Sequence, residues 1–407
     1  MKPSNRTLMK PIHKFNIIAA FFSFSKLAMI LTVPIFLQSF LESASAIAMG
    51  IALFGIFRTL AAFSCGIISD FLGKKKMLNI SMFLSLIAQI GLFLSTSKFL
   101  IILFLICNGL SLGTFMSIRG PIITTISKME NRGSIFGIFS AVSDFVGIFG
   151  GLVVGYMVDY YSCRNVFLLI GVLSFLSLIL SQTMTIDGER FAISKPKAKN
   201  ILKTSFSGFS VLFLLMILIN VIQTAVSSPL WEIVIPLYTS QIFEKASLIT
   251  GILYSVDSLF SIAASLFFGK EADKRNPYVL GMFIAFAMAI ISIIMPFFVN
   301  KFVYFAILYI LFEIVFSGIN PVLEKIESST IREEHKGLDY ALVRISLSVG
   351  PVIGSLVAGF VLSLKNGYGK FFFIVSGGYF IITTILMIMK GKSNKNESNT
   401  NWVPDNF

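Results

Sequence analysis

Long apolar runs follow one another along almost the whole chain, from about residue 15 to about residue 389. Short groups of charged residues, glycine and proline separate them, and each run is about as long as the roughly 20 residues that a helix needs to cross a bilayer. Alternation with period two is absent, which favours helices over a β-barrel. Twelve spans are predicted, at 15–40, 46–69, 77–97, 99–127, 134–158, 165–185, 206–242, 247–269, 278–299, 302–327, 338–364 and 369–389. The sequence therefore predicts an all-α polytopic membrane protein.

The composition excludes an ordinary water-soluble enzyme. Charged residues make up 13% of the chain and the mean hydropathy is +0.86, whereas soluble domains carry about 25% charge. The sequence has no phosphate-binding Gly-rich loop followed by Lys-Ser or Lys-Thr and no His-Glu-x-x-His motif. We expect no enzymatic activity, no metal and no cofactor. Because no nucleotide-binding loop is present, we expect any energy-requiring step to use an ion gradient rather than ATP.

Lysine and arginine in the loops and at the loop ends of the spans are distributed unequally between the two sides of the membrane. With the N-terminus inside, 23 lie on the cytoplasmic side and six on the other, as the positive-inside rule requires. Both termini are therefore predicted to be cytoplasmic, in the plasma membrane. The net charge of +13 then faces anionic lipid, and no nucleic-acid partner is needed to explain it.

The longest charged interruption divides the spans into six and six. The predicted domains are a cytoplasmic N-terminus (1–14), a first six-helix bundle (15–186), a central cytoplasmic loop (187–205), a second six-helix bundle (206–390) and a disordered cytoplasmic tail (391–407). Such a division is typical of secondary transporters with internal repeats.

Four positions of the first half recur in the second half at a constant offset of 203 residues. The pairs are Gly66 with Gly269, Asp70 with Asp273, Gly147 with Gly350, and Gly151 with Gly354. The glycines four residues apart lie on one helix face and are predicted to permit close helix packing. The register supports an internal repeat.

Several of these motifs resemble those of the major facilitator superfamily. The turn from Gly66 through Gly73 and Lys74 to Lys76 is similar to its loop motif between the second and third spans. The related turn from Gly269 to Arg275, Arg119-Gly120-Pro121, and the run of Gly350, Pro351 and Gly354 are similar to further patterns. The resemblance covers nearly the whole chain. It implies two pseudo-symmetric six-helix bundles, alternating access to a central cavity, and a monomer.

Once the charges at the loop ends of the spans are set aside, eight ionisable residues remain inside the spans, where each costs about 2.5 to 3.5 kcal/mol on insertion scales. They lie in eight different spans, and spans three, six, nine and twelve have none, which indicates that every third helix faces lipid. The resemblance assigns spans one, four, seven and ten to the cavity, and two, five, eight and eleven to the contact between halves. The cavity candidates are Lys26, Arg119, Glu232 and Glu313, and the gating candidates are Arg58, Asp144, Asp257 and Arg344. Four positive and four negative charges favour ion pairs that form and break during transport.

Helical spacing adds polar residues to the cavity. Asn108 shares a face with Arg119, and Asn320 shares one with Glu313. A polar face in span seven comprises Asn220, Gln223, Thr224, Ser227 and Trp231, and Pro229 predicts a kink next to it. Because a buried carboxylate has its protonation tied to solvation, the predicted proton-coupling residues are Glu313, Asp257 and Glu232, in that order.

The predicted function is secondary active transport of a small organic solute, coupled to protons, with the lipid bilayer as the other partner. The run of Gly350 and Pro351 resembles a motif of drug-exporting members of the superfamily and so favours export. The same resemblance counts against drug efflux at two places, because those members carry a proline where this chain has Ile148 and often an acidic residue in span one, which this chain lacks. Uptake of an organic anion is the alternative, because the first-half cavity residues Lys26 and Arg119 are basic. A receptor or scaffold that no longer transports is the alternative of another class.

Overall fold

The computed structural model describes residues 11–41, 43–126, 132–184, 209–332 and 336–400. This part of the chain is helical and contains no β-strand. The helices of the first half are α1 (Pro11–Gln38), α2 (Ala44–Leu72), α3 (Lys74–Leu94), α4 (Lys98–Ile126), α5 (Arg132–Tyr160) and α6 (Cys163–Gln182). Those of the second half are α7 (Val211–Pro229), α8 (Ile235–Ile242), α9 (Ala246–Lys274), α10 (Pro277–Ile294), α11 (Phe302–Thr330), α12 (Lys336–Leu362) and α13 (Gly367–Thr400).

The helices reproduce the twelve predicted spans. Eleven stretches of the described residues are long and apolar enough to cross a membrane, and α7 and α8 together form one of them, Val211–Ile242. In α5 the described apolar stretch is the shorter Phe145–Tyr160. One difference lies at the C-terminal end, where α13 continues to Thr400. The tail predicted from residue 391 overlaps the end of this helix, and its disorder stays a prediction.

The predicted irregularity at Pro229 is a π-helical turn, Leu230–Val234, between α7 and α8. Proline has no backbone N–H, so it removes one rung of the hydrogen-bond ladder. Turns of this kind often mark functional sites in helices. Here the wide turn carries Trp231 and Glu232.

Glycine also permits the sharp connection between α2 and α3. Gly73 has φ 86° and ψ 146°, in the left-handed half of backbone space that side chains with a Cβ disfavour. Lys74 begins α3 and donates from Nζ to Thr125 Oγ1 near the end of α4, at 2.6 Å. The predicted tight turn at Gly73 and Lys74 is thus present.

The chain divides into two compact units. Unit 1 contains α1, α2 from Leu53 onward, α3 to α6 and the segment Thr239–Ser255. Unit 2 contains the segment Ser43–Ala52, α7, the π turn, and the chain from Val256 onward. The units differ from the predicted bundles in residues 43–52 and 239–255, each of which is grouped with the opposite half.

In unit 1, α3 shows how the interior of such a protein is built. Its buried face combines small and polar side chains with methionine and leucine, and its exposed face carries large apolar ones such as Phe83 and Ile90. Ser81 and Ser111 of α4 each donate a hydroxyl to the other's carbonyl oxygen at 2.8 Å. Ser85 bonds Ser174 of α6 at 2.8 Å. Helices without a hydrophobic driving force between them associate through such close packing and hydrogen bonds.

The first turns of α9 pack on α5 within unit 1. A Cβ at Gly151 would lie 2.5 Å from the carbonyl oxygen of Gly251, so the two backbones touch. At the end of α5, Asp159 accepts hydrogen bonds from the backbone N–H groups of Ser247, at 3.2 Å, and Leu248, at 2.7 Å. These N–H groups belong to the first turn of α9, where an α-helix has no internal acceptors for them.

In unit 2, α7 packs equally closely on α12. A Cβ at Gly350 would lie 2.5 Å from the carbonyl oxygen of Val221. A Cβ at Gly354 would overlap the carbonyl oxygen of Ala225. Gly151 and Gly354, related by the offset of 203 residues, therefore both permit a backbone-to-backbone contact, as the small-residue interpretation predicts.

Candidate functional site

The centre of the candidate site lies in unit 2, around the carboxyl group of Glu313. This residue is on the inner face of α11 and is 1% exposed. Trp231, in the π turn, donates its indole Nε1–H to Glu313 Oε1 at 2.6 Å. The indole ring also packs edge-on against Phe316, with 5.0 Å between ring centroids. Sequence reasoning placed both residues in the cavity, and the structure brings them into direct contact.

Asp257 of α9 is the second carboxyl group of this cluster. It is an electrostatic neighbour of Glu313 and accepts a hydrogen bond from Ser261 Oγ at 2.9 Å. Neither carboxyl group belongs to an ion pair with a cation of the described residues. Two neighbouring carboxyl groups in a low-dielectric site repel each other when both are ionised, so such a pair can bind and release a proton.

The predicted polar face of α7 points largely toward α11. Gln223 donates from Nε2 to Asn320 Oδ1 at 3.0 Å, and Asn220 lies 3.5 Å from Glu327 Oε2. Thr224 and Ser227 direct their hydroxyls to carbonyl oxygens of α7 itself, at 2.7 and 2.8 Å. Asn220, Gln223 and Ser227 are buried, whereas Asn320 is exposed. Gln223 and Asn320, both predicted cavity residues, are thus paired.

Glu232 is the third predicted proton-coupling residue. It lies in the π turn directly after Trp231 and is half-buried. The structure places Glu313 and Asp257 together as electrostatic neighbours. The assignment of Glu232 to coupling stays a prediction.

The predicted cavity residues of unit 1 are on α1 and α4. Lys26 is exposed, Arg119 is half-buried and Asn108 is 7% exposed. Asn108 Oδ1 accepts from Gln89 Nε2 at 3.2 Å, so α3 contributes a polar group that sequence reasoning assigned to no site. The only sequence feature that could have indicated this contribution is an amide side chain, Gln89, in an apolar span without charged residues.

The predicted gating residues have mixed surroundings. Arg58 is half-buried, with its guanidinium carbon 5.6 Å from the centre of the Phe54 ring. Arg344 is exposed and acts electrostatically on Glu327. Asp273 is exposed and pairs with Lys325 at 3.2 Å. Gly147, Gly269 and Pro351 lie within their helices, and the side-chain surroundings of Gly66, Asp70 and Asp144 lie outside what the structure describes.

Two groups near the carboxyl pair were not predicted from the sequence. Tyr309 lies one turn before Glu313 on α11 and faces the same carboxyl group. Tyr379, on α13, is an electrostatic neighbour of Glu313. Both phenols are 0% exposed. The sequence analysis predicted that α13 faces lipid, because the helix carries no charge inside the membrane. The tyrosine at position 379 was the only sequence feature that could have indicated a position near the site.

Comparison with known proteins places this architecture in a family. The family model described as Major Facilitator Superfamily matches residues 15–337 and 233–403. The quinolone resistance protein NorA of Staphylococcus aureus (strain MSSA476) is 25% identical over 353 residues, which cover 85% of this chain and 87% of NorA. The multidrug resistance protein MdtG of Proteus mirabilis (strain HI4320) is 23% identical, over 80% of this chain and 81% of MdtG.

A solved structure shows the same fold. The crystal structure of a D-xylose-proton symporter matches with a TM-score of 0.76, covers 92% of this chain and 96% of the symporter, and is 12% identical in sequence. Eleven apolar helices of spanning length and the shorter apolar stretch of α5 in the described residues agree with the internal offset of 203 residues and with a family match across nearly the whole sequence. The chain belongs to the Major Facilitator Superfamily of membrane transporters.

Proposed function

We propose that this transporter exports amphiphilic, aromatic compounds across the plasma membrane in exchange for protons. The observation that carries the proposal is the cluster of Trp231, Glu313 and Asp257, which joins an aromatic surface to one buried and one half-buried carboxyl group. Both termini lie in the cytoplasm in this proposal, in line with the excess of lysine and arginine in the loops of that side.

The proposed proton carrier is the Glu313 and Asp257 pair. Leaving a buried charge without a partner costs several kcal/mol, and a proton removes that cost. A cationic or strongly polarised solute near the pair favours its ionised form. Proton and solute therefore compete for the same carboxyl groups, which is the coupling that exchange requires.

The relatives support an aromatic solute. NorA is named for quinolone resistance and MdtG for multidrug resistance. The indole ring of Trp231 lies next to the carboxyl group of Glu313. A cation placed over the face of an aromatic ring gains about 0.5 to 2 kcal/mol of binding free energy. Apolar pockets with a few convergent polar groups are typical of small-molecule sites.

The test uses everted membrane vesicles that contain the full chain. A pH gradient, acid inside, is imposed while the entry of ethidium and of a fluorescent quinolone is followed. We expect gradient-driven accumulation, and its loss in Glu313→Gln and in Asp257→Asn. Glu324→Gln is the matched control because Glu324 lies on the same helix but is exposed. Accumulation that persists in Glu313→Gln would contradict the proposal.

Uptake of an organic anion is the second candidate, carried by Arg119, which is a half-buried cation on α4. It predicts accumulation of the solute in intact energised cells, and loss of that accumulation in Arg119→Ala. A receptor or scaffold predicts no flux of any probe in either direction. The sign of accumulation thus separates the three functions.

A further inference from the structure

Two buried oxygen atoms of the carboxyl cluster have no hydrogen-bond partner among the residues that the structure describes. They are Glu313 Oε2 and the hydroxyl oxygen of Tyr379. Glu313 is 1% exposed, Tyr379 is 0% exposed, and the two side chains are electrostatic neighbours. Because a buried polar group without a partner costs free energy, this pair points to a bound group that supplies the missing hydrogen bonds.

The other carboxyl oxygen of Glu313 already has a donor. Trp231 donates its indole N–H to Oε1 at 2.6 Å, which fixes the orientation of the carboxyl group. Tyr309, one turn earlier on α11, faces the same carboxyl group but forms no hydrogen bond with Oε2. Oε2 is therefore the carboxyl oxygen that can accept from a ligand.

The Tyr379 hydroxyl has a neighbour that favours its use as an acceptor. Ser227 of α7 lies beside it, and the Ser227 hydroxyl gives its hydrogen to the carbonyl oxygen of Gln223 at 2.8 Å. Toward Tyr379 the serine oxygen can therefore only accept. A phenol O–H that turns toward Ser227 leaves the lone pairs of the Tyr379 oxygen for a donor from a ligand.

Aromatic rings connect the two sides of Glu313. The Trp231 indole packs edge-on against Phe316, with 5.0 Å between ring centroids. Phe316 stacks with Phe312 at 6.4 Å, and Phe312 packs edge-on against Tyr379 at 5.8 Å. This aromatic series begins at the ring that is bonded to Glu313 and ends at the ring of the unpaired hydroxyl. Such rings attract a cation most strongly where water is excluded.

The cluster carries acidic groups without a cation of its own. Asp257 is an electrostatic neighbour of Glu313, and no lysine or arginine of the described residues forms an ion pair with either carboxyl group. Trp231 and Asp257 are half-buried, so a ligand can approach the cluster from their side. A positively charged ligand is the one that this charge pattern favours.

We propose that the cluster binds organic ammonium ions through their N–H groups, and selects them over quaternary ammonium ions. One N–H donates to Glu313 Oε2 and a second donates to the Tyr379 hydroxyl oxygen, while the aromatic series contacts the organic part. The inference rests on the proposed function and names its substrate class, which is aromatic primary and secondary amines in their protonated form. A quaternary ion has the same charge but no N–H, so it leaves both oxygens without a donor.

A proton on Oε2 is the competing occupant of the same place. The carboxylic O–H of a protonated Glu313 can donate to the Tyr379 hydroxyl, as the ammonium N–H does. Proton and ammonium ion therefore exclude each other at one oxygen atom. Exchange of the two needs no additional protein group.

The test uses four fluorescent probes that share a naphthylethyl scaffold and a single positive charge. They are the primary amine and its N-methyl, N,N-dimethyl and N,N,N-trimethyl derivatives, so that the number of N–H groups falls stepwise to zero. Binding to the purified full-length protein in detergent is measured by equilibrium dialysis at neutral pH, where all four probes are charged. No gradient is applied.

In the wild type we expect the tertiary probe to bind about ten-fold or more tightly than the quaternary probe, the scale of one hydrogen bond to a charged group. Glu313→Gln should reduce this ratio. Tyr379→Phe keeps the ring and removes the oxygen, so it should reduce the ratio between the secondary and tertiary probes about ten-fold and leave the tertiary-to-quaternary ratio unchanged. Comparing ratios between wild type and variant cancels the different hydration of the probes.

Tyr304→Phe is the matched control, because Tyr304 is a tyrosine of α11 that is 57% exposed. It should change no ratio. Equal binding of the tertiary and quaternary probes to the wild type would overturn the inference, as would a lack of binding by all four. An unchanged ratio between the secondary and tertiary probes in Tyr379→Phe would overturn the role of Tyr379.

The proposed function is tested separately by the pH gradient in vesicles. Loss of gradient-driven accumulation, together with a retained preference for N–H groups, would overturn proton exchange and leave the ammonium site in place. Gradient-driven accumulation without that preference would overturn the ammonium site alone.

Discussion

Asp159 accepts a hydrogen bond from the backbone N–H of Leu248 at 2.7 Å, and so joins the end of α5 to the start of α9. A second bond from Ser247 N, at 3.2 Å, completes the cap. A carboxylate at this place accepts hydrogen bonds from two N–H groups that have no acceptor within the helix. Its negative charge is also stabilised by the positive end of the helix dipole.

Asp159→Ala is therefore expected to destabilise unit 1. Loss of a helix cap costs about 0.5 to 2 kcal/mol, which thermal unfolding of the purified protein in detergent can measure. Asp159→Asn keeps one acceptor oxygen and should retain part of the stability. Equal unfolding temperatures for the wild type and Asp159→Ala would show that the two bonds contribute nothing measurable.

Gly151→Ala and Gly354→Ala are expected to have similar effects, because each added Cβ would meet a backbone carbonyl oxygen that cannot move alone. Overpacking of this kind costs about 1 to 3 kcal/mol. Gly120→Ala and Gly377→Ala are the controls, since a Cβ at either position meets nothing within 4 Å. The yield of folded protein and its unfolding temperature should fall in the first two variants and not in the controls.

Two ion pairs of unit 2 should differ sharply in strength. Arg332 bonds Asp339 through Nε and Nη2 at 3.1 and 2.7 Å, and the Asp339 side chain is 0% exposed. Asp339→Ala leaves that arrangement without its acceptor and should cost about 3 to 5 kcal/mol. The pair of Lys325 and Asp273 has side chains that are 38% and 79% exposed, so Asp273→Ala should cost at most about 1 kcal/mol. Unfolding of both variants at low and high salt tests the contrast.

Trp231→Phe isolates the contribution of one hydrogen bond. The phenyl ring can keep the edge-on packing against Phe316 but has no N–H for Glu313. A hydrogen bond to a charged group contributes about 1.5 to 3 kcal/mol, and we expect gradient-driven transport of ethidium to fall about ten-fold. Trp231→Ala removes the aromatic surface as well and should weaken ethidium binding further. Binding measured without a gradient separates the two effects.

The span pattern and the repeat could be predicted because they depend on local composition. An apolar run of sufficient length has no stable alternative to a helix in a bilayer, and glycines four residues apart mark a packing face in any context. The same reasoning identified Glu313, Trp231, Gln223 and Asn320, since a polar side chain in an apolar run is conspicuous.

The contacts between helices could not be predicted in the same way. The hydrogen bond between Trp231 and Glu313 depends on the π turn at Leu230–Val234. The amino-acid composition of this turn is similar to that of the α-helices on either side, so the sequence does not distinguish it from regular helix. Tyr379 was overlooked because charge marks a cavity-facing helix, whereas a phenol is compatible with both lipid and interior.

The π turn also makes the site sensitive to the number of residues in it. A π turn takes up one residue more than a turn of α-helix, so a chain with one residue fewer in Leu230–Val234 could continue as regular α-helix with everything after it in the same phase relative to α7. Tyr238, whose hydroxyl donates to the carbonyl oxygen of Val299 at 2.5 Å, would then keep its neighbour. A single-residue deletion in this turn should thus displace mainly Trp231 and Glu232, whereas a deletion in the regular helix on either side rotates the whole chain after it by about 100°.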